Sequence, residues 1–401
     1  MPATGGDANP QEPVGRIITT VQTDVHGSLF KSYRFSWRHG PLKNRDADLR
    51  LLGWTDGGDA TKMDFFKIPA IHDSLLGDES CVRAPVQTAA DPALATPKVA
   101  ILLCTYHGQH YLAEQLNSFA AQTHTNWEAW VSDDGSQDAT QDILRLYERN
   151  WPNGRISIHS GPEESFAANF LSLICKASIE ADYYAFSDQD DVWEADKLKR
   201  AVEWLNTIPK STPALYCSRT RLVDADNKEI GLSPLFSKSP SFSNALMQNI
   251  GGGNTMVFNN SARALIRETE NNASIVSHDW WAYLVVTGCG GRVFYDRKPT
   301  VRYRLHNGNL VGENFSWAAR LKRLRMLWRG RFRSWNDSNI AALRKMEHKL
   351  TLESRASLET FARARTMGLV SRLVNFKRSG IHRQTLLGNL GLIAAAIFRK
   401  L

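Results

Sequence analysis

Read for apolar and polar positions, the chain changes texture at Lys98. Before it, short apolar stretches (Arg16–Val21, Leu29–Trp37, Phe65–Ile71) stand among Gly, Asp and Pro with weak periodicity. Val86–Pro97, rich in Ala and Pro, reads as a linker. After Lys98, apolar runs alternate with helical spacings. Val99–Cys104 is a continuous apolar run that suits a buried parallel strand. Within Tyr111–Gln122, Leu112, Leu116, Phe119 and Ala120 recur at helical spacing. The pattern then predicts a strand at Trp127–Val131, a helix at Asp138–Tyr147 and a short strand at Arg155–His159. It continues with an amphipathic helix at Phe166–Ile179, a strand at Tyr183–Ser187 and a helix at Asp196–Leu205. Such alternation specifies a parallel sheet with helices on both faces. The second half is less regular. It predicts strands at Ala214–Ser218, Thr255–Phe258, Arg292–Tyr295 and Thr300–Tyr303, a helix at Asp279–Val286, and a helical, basic pattern from Ser316 onward. No internal repeat is visible.

Composition adds little, since 42% apolar and 22% charged over 401 residues is ordinary for one large domain or two smaller ones. Charge adds more. Ser316–Leu401 holds 19 Lys/Arg against 4 Asp/Glu, while the remaining 315 residues hold 30 against 37. The net +8 is therefore a property of the tail. No apolar run approaches the roughly 20 residues of a membrane-spanning helix; the longest, Leu386–Phe398, contains Asn389. The N-terminus lacks the charged, apolar and small-residue succession of a secretion signal, so a cytoplasmic protein is expected. The five cysteines are scattered without a CxxC pair, which fits reduced thiols better than a disulfide framework or a zinc site.

In open parallel sheets ligands bind beyond the carboxyl ends of the strands. Three polar clusters fall there: Thr105-Tyr106, Asp133-Asp134 and Asp188 to Asp191. The carboxylates of Asp188 and Asp190, one residue apart, can both reach a hard cation such as Mg²⁺ or Mn²⁺, which takes oxygen ligands and often substrate phosphates. A solvated acidic turn before a helix has the same letters. In Ser132–Ser136, two acids and a Gly at a strand end make a tight turn whose carboxylates can accept from the imide N–H of a uracil or thymine; helix capping by Ser136 or Asp138 accounts for it equally. In His278-Asp279-Trp280-Trp281, a carboxylate opening an aromatic helix suits a general base acting on a hydroxyl, with a tryptophan face for a sugar ring. An acid at a helix start followed by core tryptophans reads the same way. After the last strand, His306 suits a metal or phosphate contact and Arg304 a diphosphate.

Together these segments resemble a family-2 glycosyltransferase with the GT-A fold, and within it the bacterial rhamnosyltransferase-like branch. The similarity runs from about Lys98 to about Gly312 and more weakly into the tail. It is carried by Thr105-Tyr106, Glu114-Gln115-Leu116, Gln122-Thr123, SDDGS (Ser132–Ser136), FSDQDDVW (Phe186–Trp193), Lys197-Leu198, HDWW (His278–Trp281) and YRLHNGN (Tyr303–Asn309). FSDQDDVW and HDWW in that order are far more specific than a bare DxD. The resemblance implies that Thr105, Tyr106, Asp133, Asp134, Asp188, Gln189 and Arg304 hold the donor. Asp190 is the implied main ligand of a divalent cation (Mg²⁺ or Mn²⁺), with Asp188 and His306 beside it. Asp279 is the implied catalytic base. Gly252 and Gly253, of the loop Gly251–Asn254, with Trp193, Trp280 and Trp281, are expected at the acceptor. Three departures flank the donor pocket: His107 stands where Asn is usual, Gln137 where Thr is usual, and Pro162–Ser165 where Asn-x-Gly is usual.

The expected fold class is therefore α/β: a GT-A (nucleotide-diphospho-sugar transferase) fold with a mostly parallel central sheet and a helical basic C-terminal extension. Residues 1–97 are expected to be an N-terminal extension and 98–315 the catalytic domain, with 98–206 the donor half and 207–315 the acceptor half. Residues 316–401 are expected to be a basic helical region. The implied reaction is inverting transfer of a sugar, L-rhamnose from dTDP-L-rhamnose, to a cell-surface polysaccharide or lipid-linked glycan. A homologue that binds a nucleotide-sugar without transferring it is the alternative, and the four carboxylates Asp134, Asp188, Asp190 and Asp279 count against it. A dinucleotide oxidoreductase would need GxGxxG after the first strand, where only Gly108 stands. The tail's helix at Ser316–Arg333 suits either peripheral contact with the inner membrane or a cap packed on the catalytic domain. Nucleic acid is not an expected partner, because no such motif occurs and the catalytic part is net acidic. Oligomerisation is left open.

Overall fold

The computed structural model describes residues 15–23, 29–37, 96–268, 275–306 and 331–401. The chain divides into two units, Met1–Gln87 and Thr88–Leu401. In the first, β1 (Gly15–Thr23) and β2 (Leu29–Trp37) form an antiparallel hairpin registered from Gly15↔Trp37 to Thr23↔Leu29. The apolar stretch Phe65–Ile71 and the linker at Val86–Pro97 lie outside the described residues, except for 96 and 97.

The second unit begins with β3 (Val99–Thr105), α1 (Leu112–Ala120), β4 (Trp127–Asp133), α2 (Thr140–Asn150), β5 (Ile156–Ser160), α3 (Phe166–Cys175) and β6 (Tyr183–Ser187). It continues with β7 (Val192–Trp193), α4 (Lys197–Leu205), β8 (Ala214–Val223), β9 (Glu229–Leu232), α5 (Phe242–Ala245), β10 (Val257–Asn259), α6 (Asn260–Arg267), α7 (His278–Gly288) and β11 (Arg292–Arg304). The C-terminal helices are α8 (Arg331–Lys345), α9 (Leu352–Ala364), α10 (Leu369–Arg378) and α11 (Leu386–Ile397). The nine strands form one sheet in the order β5-β4-β3-β6-β10-β8-β11-β7, with β9 beside β8. The chain thus adopts the expected α/β class. Neighbours β5, β4, β3 and β6 run parallel, as do β8 and β11, while β10 lies antiparallel between β6 and β8.

β3 shows how the sequence builds both faces. Side chains alternate across a strand, so Val99, Ile101 and Leu103 enter the core under α1 and α4. Ala100, Leu102 and Cys104 enter the core under α3, α6 and α7. The second core also takes Leu343, Leu358, Phe361 and Phe376 from the C-terminal helices. Helix α7 is therefore covered on two sides, which is why its sequence WWAYLVV has no polar face.

Two elements, β11 and β7, differ instructively from the sequence pattern. The strands expected at Arg292–Tyr295 and Thr300–Tyr303 are one strand, β11, with a register shift against β8 between Asp296 and Val301. Pro299 lies inside that shift and has no N–H for the ladder. β7 is two residues long, too short to show any period. The basic helix expected at Ser316–Arg333 falls outside the described residues up to 330.

Candidate active site

The carboxyl ends of β3, β4 and β6 meet at one edge of the sheet. At the end of β4, Asp133 is buried and accepts from Thr105 Oγ1 (2.8 Å), Ser136 Oγ (2.6 Å), Ser136 N (3.1 Å) and Gln141 Nε2 (3.0 Å). Its carboxylate therefore shapes the turn. The next residue, Asp134, accepts from Glu163 N through Oδ1 (2.6 Å), and among the described residues Oδ2 has no partner. Gly135 makes the turn possible at φ +84°.

The loop after β3 is clamped to the acidic turn after β6. Tyr106 N donates to Gln189 Oε1 (2.7 Å) and Gln189 Nε2 donates to Tyr106 O (2.8 Å), so one side-chain amide pairs with one peptide from both directions. A Cβ at Gly108 would stand 2.4 Å from Gln189 Oε1, so any larger residue there would displace the amide that makes this clamp. The Tyr106 ring itself is 57% exposed. His107, at the position where Asn is usual, has φ +51°. Asn, Asp and His enter that left-handed region more readily than other side chains, so the departure keeps the backbone. His107 N donates to Ser136 Oγ (2.9 Å) and ties this loop to the β4 turn.

The acids after β6 do different work. Asp191 is fully buried, accepting from Asn254 Nδ2 and from Arg304 N (3.2 Å). Asp190 Oδ2 lies 2.8 Å from His306 Nε2. Asp188 is pushed up to about 8 by burial, then by Asp190 and Asp279, with Lys197 opposing. Burial also pushes the Asp191 carboxyl well up and the Lys197 ammonium well down. The fully buried Lys197 Nζ sits 3.3 Å from the Trp193 ring centroid and has no hydrogen-bond partner among the described residues. Cys104, the last apolar residue of β3, is pushed up by burial and then by Asp188 and Asp134, so the β4 and β6 turns act on one point.

Asp279 joins this group from α7. Its Oδ2 accepts from Asn249 Nδ2 (2.7 Å) and Gly253 N (3.2 Å), and its Oδ1 from Trp280 N (2.7 Å). Gly253 is glycine of necessity, since a Cβ there would lie 2.4 Å from His278 Nε2. His278 is buried and stacked on Phe170 at 3.7 Å, and neither ring nitrogen has a partner among the described residues. A cleft of about 570 Å³ opens beside Asp190 and His306, bounded also by Gly108, Tyr111 and Gln189.

Several expected contacts take another place. Trp193, Trp280 and Trp281 are buried core residues and present no face for a sugar. Trp193 packs on Phe119 and Lys197, and Trp280 Nε1 donates to Ala245 O (2.6 Å). Arg304 is fully buried as well. It donates to Asp190 O (3.0 Å) and Glu114 Oε2 (2.6 Å) and lies over the Tyr111 ring at 4.4 Å. It holds the acidic turn in place and does not face the cleft. Thr105 and Asp133 organise the β4 turn. Gly252 precedes the single helical turn Gly253–Thr255, and Gly253, which opens it, supplies its backbone N–H to Asp279. Asp188, Asp190 and His306 do not form a ready three-ligand set, and no group of three His, Cys, Asp or Glu is gathered as a metal site among the described residues. Sequence reasoning named Asp191, Asn254 and Lys197 only as members of motifs and gave them no role of their own. An acid next to a DxD, an Asn after three Gly and a Lys opening a helix carry no mark of burial.

Comparison with known proteins adds the family. Residues 100–271 match the model of Glycosyl transferase family 2. The dTDP-rhamnosyl transferase RfbG of Shigella flexneri is 32% identical over 236 residues, 55% of this chain and 78% of that protein. A putative teichuronic acid biosynthesis glycosyltransferase, TuaG of Bacillus subtilis, is 33% identical over 109 residues, 27% of this chain and 42% of that protein. Among solved structures, residues 1–349 of TarS from S. aureus with UDP-GlcNAc align over 71% of this chain and 93% of that one, at 14% identity and a TM-score of 0.45. The family assignment draws on the sequence matches alone.

Proposed function

The chain belongs to glycosyl transferase family 2, and from that premise we propose that it transfers L-rhamnose, with inversion, from dTDP-L-rhamnose to a polysaccharide or lipid-linked glycan. Use of a nucleotide-sugar donor follows from the family. The sugar rests on the 32% identity to RfbG across 78% of that protein. The reaction rests on one observation: the adjacent residues Gly253 and Asn254 reach Asp279 of α7 and Asp191 of the turn after β6, so an acidic turn and a helix-borne carboxylate serve one place.

In this reading the exposed Tyr106 ring and the free Oδ2 of Asp134 receive the nucleobase. Asp279, oriented by Asn249 and Gly253, takes the proton of the acceptor hydroxyl as that oxygen attacks the sugar carbon. The bond to the diphosphate breaks on the opposite side. The residues fit a divalent cation. Asp190 Oδ2 and His306 Nε2 lie 2.8 Å apart with Asp188 on the same turn, and one or two carboxylates plus substrate phosphates are an ordinary Mg²⁺ arrangement. Held by Asp190, Asp188 and His306, such an ion would neutralise the departing diphosphate. The acceptor hydroxyl is expected near Gly252 and Gly253.

The test is release of nucleoside diphosphate by the full chain with dTDP-L-rhamnose and with UDP-sugars, followed with Mn²⁺, with Mg²⁺ and with EDTA. Release is expected to be fastest with dTDP-L-rhamnose and to stop with EDTA. Transfer to an acceptor is expected to fall about 10²–10⁴-fold in Asp279→Asn. Release indifferent to EDTA would remove the cation from the scheme, and full transfer by Asp279→Asn would remove the base.

A further inference from the structure

Helix α11 has no polar face. From Leu386 to Phe398 the chain carries no charged residue, and Asn389 is its one polar side chain. Asn389 is occupied at the helix start, where it accepts from Arg383 N (2.8 Å) and donates to Arg383 O (2.8 Å) and Thr385 O (2.8 Å). One arc of the helix packs inward through Ala395 and Ala396. On the other arc Leu386 (80% exposed), Leu387 (75%), Leu390, Ile393, Ile397 and Phe398 stand open. A helix on the surface of a soluble domain places charge on its outer arc, and α11 places none there.

The charge is gathered at the rim instead. Lys377 and Arg378 close α10 and are exposed, and Arg399 follows α11 and is exposed. After Glu359 the chain contains eight Lys/Arg and no acidic residue. Arg399 ends α11 at φ +55°, a position glycine adopts with less strain, so a cation is kept there against backbone preference. Helix α10 extends the apolar surface with Val370 and Val374. The two helices are locked by buried Arg372, which donates to Ala396 O (2.7 Å) and Met367 O (2.6 Å).

We propose that the α10–α11 face docks in the plane of an anionic lipid bilayer. With its 12 residues, α11 is about 18 Å long, short of the roughly 30 Å hydrocarbon layer. No helix among the described residues is long and apolar enough to cross. An apolar face bordered by cations fits acyl chains below and anionic headgroups around it. A second copy of the chain would bring two rims of one sign together, which favours lipid as the occupant. The inference comes from the C-terminal helices and needs neither donor nor acceptor, so it stands or falls separately from the transfer reaction.

The experiment is flotation of the full-length chain with vesicles of phosphatidylcholine alone and of phosphatidylcholine mixed with phosphatidylglycerol, without any sugar nucleotide. The chain is expected to float with the mixed vesicles, to stay behind with phosphatidylcholine alone, and to lose binding as salt rises. Leu387→Glu with Leu390→Glu is expected to weaken binding at least about tenfold while helicity and thermal midpoint hold, because both side chains are exposed. Lys377→Gln with Arg378→Gln and Arg399→Gln is expected to weaken binding and flatten its salt dependence. Undiminished flotation of the double-Glu variant would overturn the proposal. So would absence of vesicle binding together with a dimer, seen by sedimentation, that the same variant dissociates.

Discussion

At the scale of single residues, the site separates carboxylates that organise from carboxylates left available. Asp133 is buried under four donors and Asp191 under two, whereas among the described residues Asp134 keeps an open oxygen and the Asp190 side chain meets His306 alone. The spacing of acids at strand ends was legible in the sequence; which acid of each neighbouring pair turns inward was not, because that is set by donors from distant segments. His278 permits a direct check. Burial holds its imidazole down at about 4 against an ordinary 6.5, with Asp279 opposing. The unfolded chain therefore takes up a proton at a pH where the folded chain refuses it. The stability is fully present above about 6.5 and is lost as pH falls toward 4, by about 3 kcal/mol. Thermal or urea unfolding followed through that window should show the loss. In His278→Leu the same slope should be shallower by that amount, whatever the variant's stability at neutral pH.

At the scale of elements, the helices are held by side chains from neighbours more than by their own sequences. Helix α3 starts on Ser165, whose hydroxyl accepts from Ala168 N, and it ends on Arg263 of α6. Buried Arg263 donates to Ile174 O (2.9 Å), Lys176 O (2.6 Å) and Ile179 O, and to the Tyr184 hydroxyl (2.9 Å). Periodicity placed the start of α3 correctly and overran its end by four residues, to Ile179, because that stop is written about 90 residues downstream. Arg263→Met leaves Ile174 O and Ile179 O without a donor among the described residues, while Lys176 O keeps Ile179 N (3.2 Å), and it is expected to destabilise the chain by about 3 kcal/mol or more. Urea unfolding measures it, and a change below about 1 kcal/mol would mean that water replaces the guanidinium at no loss. Helix α7 shows the opposite failure. Its tryptophans looked available for a sugar in the sequence, and the packing of α3, α5 and α6 around α7, with Trp335 of α8 against Trp280, makes them core.

At the scale of the molecule, the division into a donor half and an acceptor half does not correspond to separate layers. Strands β5, β4, β3 and β6 of the first half and β10, β8 and β11 of the second follow one another in a single sheet, β7 of the first half closes the far edge beyond β11, and α7 lies on the same core as α3. The α/β class and the crevice edge could be read from the first four strands. A strand was expected at Thr255–Phe258, but its antiparallel insertion between β6 and β8 could not be read, since three residues carry too little pattern to set direction or neighbours. One sheet implies one cooperative unit. Amide exchange in rising denaturant should lose protection in β3 and β6 together with β10 and β8. Two separate waves would show that the halves fold independently.

The short turn Gly253–Thr255 touches two acids at once: Gly253 N reaches Asp279 and Asn254 Nδ2 reaches Asp191. Adjacent residues thus act as the jaws of a caliper, fixing the gap between the start of α7 and the turn after β6. Any drift of one acid drags the other with it. New acceptors would accordingly have to be accommodated by side chains outside this turn, since altering its length would detune both ends of the reaction together.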